Sequence, residues 1–329
     1  MKKTRVRDGA VLANYFLKDC DDVNHAQLLD GDTRALVSCR DSDAILLYDL
    51  ETNRKLWIAG GNASTLALID EDGRAVDALW HGQHNAEWFG DSTVFLFDNA
   101  QGAPEPTPSS VKKVAIDAEA GTATLVWSYA FVDAYPGADA YPSGYSEVFG
   151  DADRLPSGNV LGVWWPRHLS PSAGLSFDVQ LAEVTPAKEV AWSLEFANTG
   201  FYAGACVDDP DPGCERIIRT GWKVYSAERF YDAPLVSAAS LAKRDDGGAA
   251  LAFAAHAGCK HSAPTAATWT LADAAGATRA RGRFDFAPHF GETRVAVDLP
   301  TLADVAGLTL TVADEWDNRR AAALDVRRR

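Results

Sequence analysis

One pattern, repeated three times, constrains this chain more than any other feature. Residues 25–61 read HAQLLDGDTRALVSCRDSDAILLYDLETNRKLWIAGG. Residues 84–100 read HNAEWFGDSTVFLFDNA, followed at 111–130 by VKKVAIDAEAGTATLVWSYA. Residues 146–165 read SEVFGDADRLPSGNVLGVWW, followed at 175–196 by LSFDVQLAEVTPAKEVAWSLEF. Each runs from a polar entry into a short apolar strand, an Asp/Gly or Pro/Ser/Gly turn and a second strand. A loop, a third strand, a turn such as LETNR or DAEAG, and a last strand carrying Trp complete it. The repeat distance is roughly 40 to 60 residues, the period of sheet-based repeats. A lone four-stranded antiparallel sheet of this kind cannot bury both of its faces; stacking against neighbours around an axis does so. The pattern predicts β-propeller blades, with Trp57, Trp127 and Trp192 packed between them.

Closed propellers usually have about four to eight blades, and three are plain here. A fragment at 216–234, RIIRTGWKVYSAERFYDAP, reads as one or two strands of an incomplete fourth. The expectation is a propeller lacking its leading blades, with closure by partners as the other reading; homo-oligomerisation stays open.

After Pro234 the composition turns Ala-rich, in segments such as GAALAFAAHAG, TAATWTLADAAG and LTLTVADEWDN. Thr, Val and Phe alternate there with polar residues, so the period is two and the segments read as strands rather than helices. A small antiparallel β-sandwich follows as the expectation. The chain is thus read as all-β, with a propeller portion at 1–234 and a β-sandwich at 235–329. His256, His261 and His289 share no motif and are read as surface or packing residues.

The formal charge of −15, from 31 basic and 46 acidic residues, disfavours nucleic acid and anionic membranes as partners. No run of about eighteen apolar residues offers a membrane span. The N-terminus, MKKTRVRDGAVLANYF, is basic but lacks the apolar stretch and cleavage site of an export signal. Of five cysteines, Cys206 and Cys214 flank the acidic loop CVDDPDPGC, where a disulfide would order a loop with little else to hold it. Cys20, Cys39 and Cys259 have no metal-ligand spacing. A 206–214 bridge points to an oxidising compartment, against the missing signal.

His25 and His84 occupy the same place in consecutive repeats, each before an apolar strand, and Arg40 ends the second strand of the first repeat. In a propeller, residues at the entry of the innermost strands converge on the axis. Two imidazoles and a guanidinium suit a tetrahedral oxyanion: the guanidinium forks onto two oxygens, and a neutral imidazole can attack the central atom. His81 is read as a rim residue. A strand-mouth His is otherwise a hydrogen-bonded structural residue.

These segments resemble the arylsulfotransferase family of the PAPS-independent type. The match runs through His25-Ala26-Gln27, Ser38-Cys39-Arg40, Leu56-Trp57-Ile58-Ala59-Gly60-Gly61 and Gln83-His84-Asn85-Ala86. It continues through Leu96-Phe97-Asp98-Asn99 and Gly150-Asp151-Ala152-Asp153-Arg154-Leu155-Pro156-Ser157-Gly158-Asn159-Val160, in the family's order over residues 20–230. The resemblance implies a six-bladed propeller. It implies His84 as the nucleophile that takes a sulfuryl group from an aryl sulfate, holds it as sulfohistidine and passes it to a phenol. It implies His25 and Arg40 as sulfate grips, with Gln27 and Asn99 at further substrate-binding positions. The reaction would be ping-pong, with no cofactor or metal, and the family suggests a secreted or periplasmic setting. Three departures stand out. Gln27 replaces the usual Asn, Asn85 replaces the usual Asp, and the family's further sulfate-gripping His on an earlier blade has no match here. The other reading is a non-catalytic anion-binding module or a degenerate paralogue.

Overall fold

The computed structural model describes residues 1–5, 7–130, 144–170, 174–177, 179–196, 220–221, 224–244, 247–300 and 307–328. Every regular element among them is a β-strand, and none is a helix. No helix of the described residues is therefore long and apolar enough to cross a membrane. The chain divides into two compact units, one of Met1–Arg154 with Gly158–Ala227 and the other of Leu155–Ser157 with Glu228–Arg329.

The first unit is built from the three repeats. Val23–Leu29, Arg34–Cys39, Ala44–Asp49 and Arg54–Gly60 form a four-stranded antiparallel meander. His84–Trp88, Thr93–Asp98, Ser110–Asp117 and Thr122–Ala130 form the second, with Ala67–Ile69 added in parallel to its last strand. Asp151–Arg154, Val160–Trp164, Val179–Val184 and Val190–Phe196 form the third. The tight turns are built by Asp. Asp49 Oδ1 accepts the N–H groups of Glu51 and Thr52, both at 2.9 Å, and Asp117 Oδ1 accepts that of Ala120 at 2.8 Å. Such Asx turns reverse the chain within a few residues, which is why each repeat closes as hairpins. Thr220–Gly221 pairs in parallel with Gly174–Phe177, and residues 216–219, 222 and 223 of the fragment read as part of a fourth blade lie outside the described residues.

Strand alternation sends successive side chains to opposite faces, and both faces are apolar, as a blade requires. In the first sheet Leu36, Ile45, Leu47 and Trp57 pack with Ala86, Val94, Leu96 and Val114 of the second. Ala35, Val37, Cys39, Leu46 and Ile58 face the other way and are covered by Tyr15, Ala13 and Leu17. Between the second and third sheets lie Phe95, Phe97, Val111, Ala152, Trp164 and Val184, with Trp127 and Tyr129 against them. Trp57 and Trp127 thus pack between sheets. Trp192 departs from the expectation: it is 42 % exposed, with Val190, Leu194 and Phe196 exposed on the same strand. Among the described residues no further sheet covers its side chain.

The first strands of the three sheets run side by side, His84–Trp88 touching both Val23–Leu29 and Asp151–Arg154. That adjacency gathers the entry residues of separate repeats.

The second unit is two four-stranded sheets. Thr293–Leu299, Ala249–His256, Leu235–Lys243 and Asp325–Arg328 form one. Thr278–Phe286, Thr265–Ala272, Thr309–Asp314 and Arg319–Ala323 form the other. Leu241, Leu251 and Phe253 of one share a core with Trp269, Leu271, Leu310 and Val312 of the other, a sandwich arrangement. His256 Nδ1 lies 2.9 Å from the Phe290 carbonyl and His261 Nε2 lies 3.0 Å from Cys259 Sγ. His289 is buried.

The Cys206–Cys214 pairing lies outside the described residues. A disulfide does join Cys20 to Cys39, a pairing that was not expected.

Candidate active site

His84 opens the first strand of the second sheet, and its imidazole is only 4 % exposed. Nδ1 lies 2.7 Å from Asn99 Oδ1. Asn99 follows the end of the next strand over, Thr93–Asp98, whose Phe97 is the register partner of His84. The amide of Asn99 is itself fixed: its Nδ2 donates to the carbonyls of Ser146 at 2.8 Å and Phe149 at 2.9 Å. Two carbonyl acceptors require the amide nitrogen on that side, so the oxygen faces His84 and can only accept. The proton on the ring therefore sits on Nδ1, and Nε2 carries the lone pair.

Nε2 meets the backbone N–H of Phe149 at 3.4 Å, a long contact. Phe149 holds a left-handed φ of 64°, uncommon for a bulky residue and costly. This places its carbonyl on Asn99 and its N–H toward His84. Gly150 follows at φ 109°, where a Cβ would come within 2.3 Å of the Phe97 ring. The tight turn at Phe149-Gly150 is thus packed directly onto the strand partner of His84.

Burial pushes the His84 imidazole below the ordinary histidine range, and the positive charge of Arg40 pushes it the same way; the Asn99 hydrogen bond opposes both. The net shift favours the neutral ring. Arg40, at the end of a first-sheet strand, is thus within electrostatic reach of His84. Its Nη1 donates to Asp22 Oδ2 at 2.9 Å, and its Nε and Nη2 donate to Gln101 Oε1 at 3.1 and 2.7 Å. A guanidinium has five N–H groups, so two remain beyond these three bonds.

His25 sits on the neighbouring strand. Its Nε2 lies 3.4 Å from Glu87 Oε1 and makes no hydrogen bond among the described residues. Gln27 is engaged with the adjacent strand: Nε2 donates to the Trp88 carbonyl at 3.1 Å and Oε1 accepts the Trp88 N–H at 2.7 Å. This bridges two blades whose backbones are otherwise unpaired. Asn85, at φ 46°, has a buried Oδ1 without a partner among the described residues. His81 stands at the rim with Nδ1 3.5 Å from Asp43 Oδ2.

Three aromatic residues complete the site without having been singled out from the sequence. The Tyr225 ring lies edge-on to the His84 ring, centroids 5.9 Å apart, and Phe149 does the same at 6.4 Å. Trp165 packs on Phe149 at 5.0 Å. Tyr225 is tied down by its hydroxyl, which donates to the Asn24 carbonyl at 2.9 Å. Burial and the charges of Asp151 and Asp22 hold its phenol protonated above the usual tyrosine range. Phe149 and Trp165 fall just before and after recognisable motif segments. Tyr225 had no local signal, since only tertiary folding brings it to His84.

Among the described residues, no group of three or more His, Cys, Asp or Glu side chains is placed to hold a metal ion. Asp19 pairs instead with Lys55, and Asp22 with Arg40.

No curated protein matches the chain. Among solved structures, hydrazine synthase of Kuenenia stuttgartiensis is similar at 10 % identity and a TM-score of 0.30, over 95 % of this chain and 69 % of that one. A streptogramin B lyase is similar at 7 % identity and a TM-score of 0.27, over 94 % of this chain and 86 % of that one. Likenesses this weak support no conclusion. The family model described as Arylsulfotransferase (ASST) matches residues 22–164. Through that stretch, which carries His25, Arg40, His84 and Asn99, the chain is similar to the arylsulfotransferase family.

Proposed function

We propose that this protein moves a sulfuryl group from an aryl sulfate to a phenol through a sulfohistidine on His84. The observation that carries the reading is the locked amide of Asn99, which assigns the ring proton to Nδ1 and leaves a lone pair on Nε2. A neutral, buried imidazole with a fixed tautomer is an activated nucleophile. In the first step the Nε2 lone pair attacks sulfur, the sulfur–oxygen bond to the aryl group breaks, and the aryl oxide leaves with the bonding electrons. The modified ring keeps its Nδ1–H on Asn99. In the second step a phenol oxygen attacks sulfur and the nitrogen–sulfur bond breaks. Its electrons return to Nε2, while the phenol proton passes to solvent.

The sulfate oxygens carry negative charge throughout the transfer, and Arg40 is the fixed counter-charge, with two N–H groups to offer. The family resemblance assigns His25 the second grip, although its Nε2 is buried against Glu87 Oε1 at 3.4 Å. Tyr225, Phe149 and Trp165 surround the His84 ring with aromatic groups of the kind that pack on an aryl ring. Asn99 orients the nucleophile, and Gln27 holds adjacent blades together.

The test is a rapid mixing of enzyme with 4-nitrophenyl sulfate without acceptor. The reading expects a burst of 4-nitrophenol equal to the enzyme present, steady turnover once a phenol is added, and neither in His84→Ala. A wild-type protein that binds the ester and releases no nitrophenol would be the anion-binding module instead.

A further inference from the structure

Arg40, already ion-paired with Asp22, needs to be held beside His84 without further neutralisation. We propose that Gln101 is the positioning residue that does this, a role resting on the sulfuryl-transfer reading above for its catalytic meaning but not for its geometry. Gln101 Oε1 accepts from both Nε and Nη2 of Arg40, at 3.1 and 2.7 Å. Among the described residues the guanidinium also meets Asp22, at 2.9 Å, and Asp41, at 3.8 Å, both close to it in sequence on the first-repeat side and both substantially exposed. Gln101 is therefore the tie that crosses from the first repeat to the second.

Its own position is fixed at the other end. The Gln101 N–H donates to the His81 carbonyl at 3.2 Å, so its backbone is joined to the loop that leads into His84. Gly82 in that loop, at φ 64°, leaves just enough room: a Cβ there would stand 2.9 Å from Gln101 Cβ and 3.1 Å from Oε1. Two residues before Gln101 stands Asn99, which orients His84. One short segment thus sets both partners of the reaction, the imidazole through Asn99 and the guanidinium through Gln101. The acceptor is a neutral amide oxygen. It directs the guanidinium without adding a second close carboxylate to the one that Asp22 already supplies.

The experiment uses the full chain labelled with 15N-arginine. The Arg40 side-chain Nε–H signal, assigned with Arg40→Lys, is followed for exchange with water, alongside steady-state kinetics on 4-nitrophenyl sulfate with a phenol acceptor. Gln101→Met keeps the volume and removes the acceptor; Gln101→Glu keeps an acceptor and adds a charge. In Gln101→Met the Nε–H should exchange about tenfold faster or more, and KM should rise about tenfold with kcat changed by less than about threefold. In Gln101→Glu the Nε–H should stay protected while KM still rises. Protection unchanged in Gln101→Met, or lost equally in both variants, overturns the positioning role. A wild-type protein without turnover would remove the sulfuryl-transfer reading, and the Arg40 signal would still decide the role of Gln101.

Discussion

The Nδ1–H of His84 donates to Asn99 Oδ1 across 2.7 Å, and Asn99 cannot turn over because its Nδ2 is given to the carbonyls of Ser146 and Phe149. One amide therefore chooses which nitrogen of the histidine is nucleophilic. Asn99→Ala removes that choice and the hydrogen bond that raises the His84 pKa. The first half-reaction should slow by about 10- to 100-fold, and an NMR titration of the ring should show its pKa moved further down. An unchanged rate with an unchanged titration would mean that the ring is oriented by something else.

The depressed pKa of His84 gives a sign to the pH dependence of stability. The folded state refuses a proton that the unfolded state accepts below the ordinary value of 6.5. The contribution is therefore present above that value and lost as pH falls from it toward the folded pKa. Urea midpoints of the wild type should drop more between about pH 7 and about pH 5 than those of His84→Gln. The nitrophenol burst, which needs the neutral ring, should stay flat down through that ordinary value and fall only at more acidic pH.

The Cys20–Cys39 disulfide closes a loop with a sequence separation of 19 and clips the segment bearing Asp22 to the strand end bearing Arg40. Replacing both cysteines by serine should lower the stability of the first unit by about 3 kcal/mol on the loop-entropy account. Chemical denaturation with and without reductant checks it: reductant should shift the wild-type midpoint and leave the double variant unmoved.

Trp57 and Trp192 occupy matching places in their repeats, yet Trp57 is 5 % exposed and Trp192 is 42 % exposed. Trp57→Ala should cost about 3 to 5 kcal/mol. Trp192→Ala should cost far less, since removing a half-exposed side chain leaves no closed cavity. Equal losses in thermal or urea melts would show that Trp192 is covered in solution.

The contrast between these two tryptophans also marks how far the sequence can be read. Strand alternation and Asp turns such as Asp49 and Asp117 are local, so the blades and their starts at Val23, His84 and Asp151 are legible from short segments. The side-by-side run of the strands bearing His25 and His84 follows from the repeat, because equivalent blade entries fall next to one another. What escapes depends on distant packing. Tyr225 reaches His84 without any neighbouring motif. Phe149 takes a backbone conformation that no residue type announces. Cys20 meets Cys39 only because Val23 pairs with Cys39 in the register of the first sheet. Gln27 and Asn99 lie where motif spacing puts them, but what they touch is decided by side-chain geometry.

The most direct measurement is the mass of the peptide containing His84 after a brief exposure of the protein to 4-nitrophenyl sulfate without acceptor, digested under alkaline conditions. The account predicts one added SO3 group on His84, stable to alkali, lost in acid, and discharged when a phenol is added before quenching. Nitrophenol release with an unmodified His84 peptide, or with the group on another residue, would contradict it.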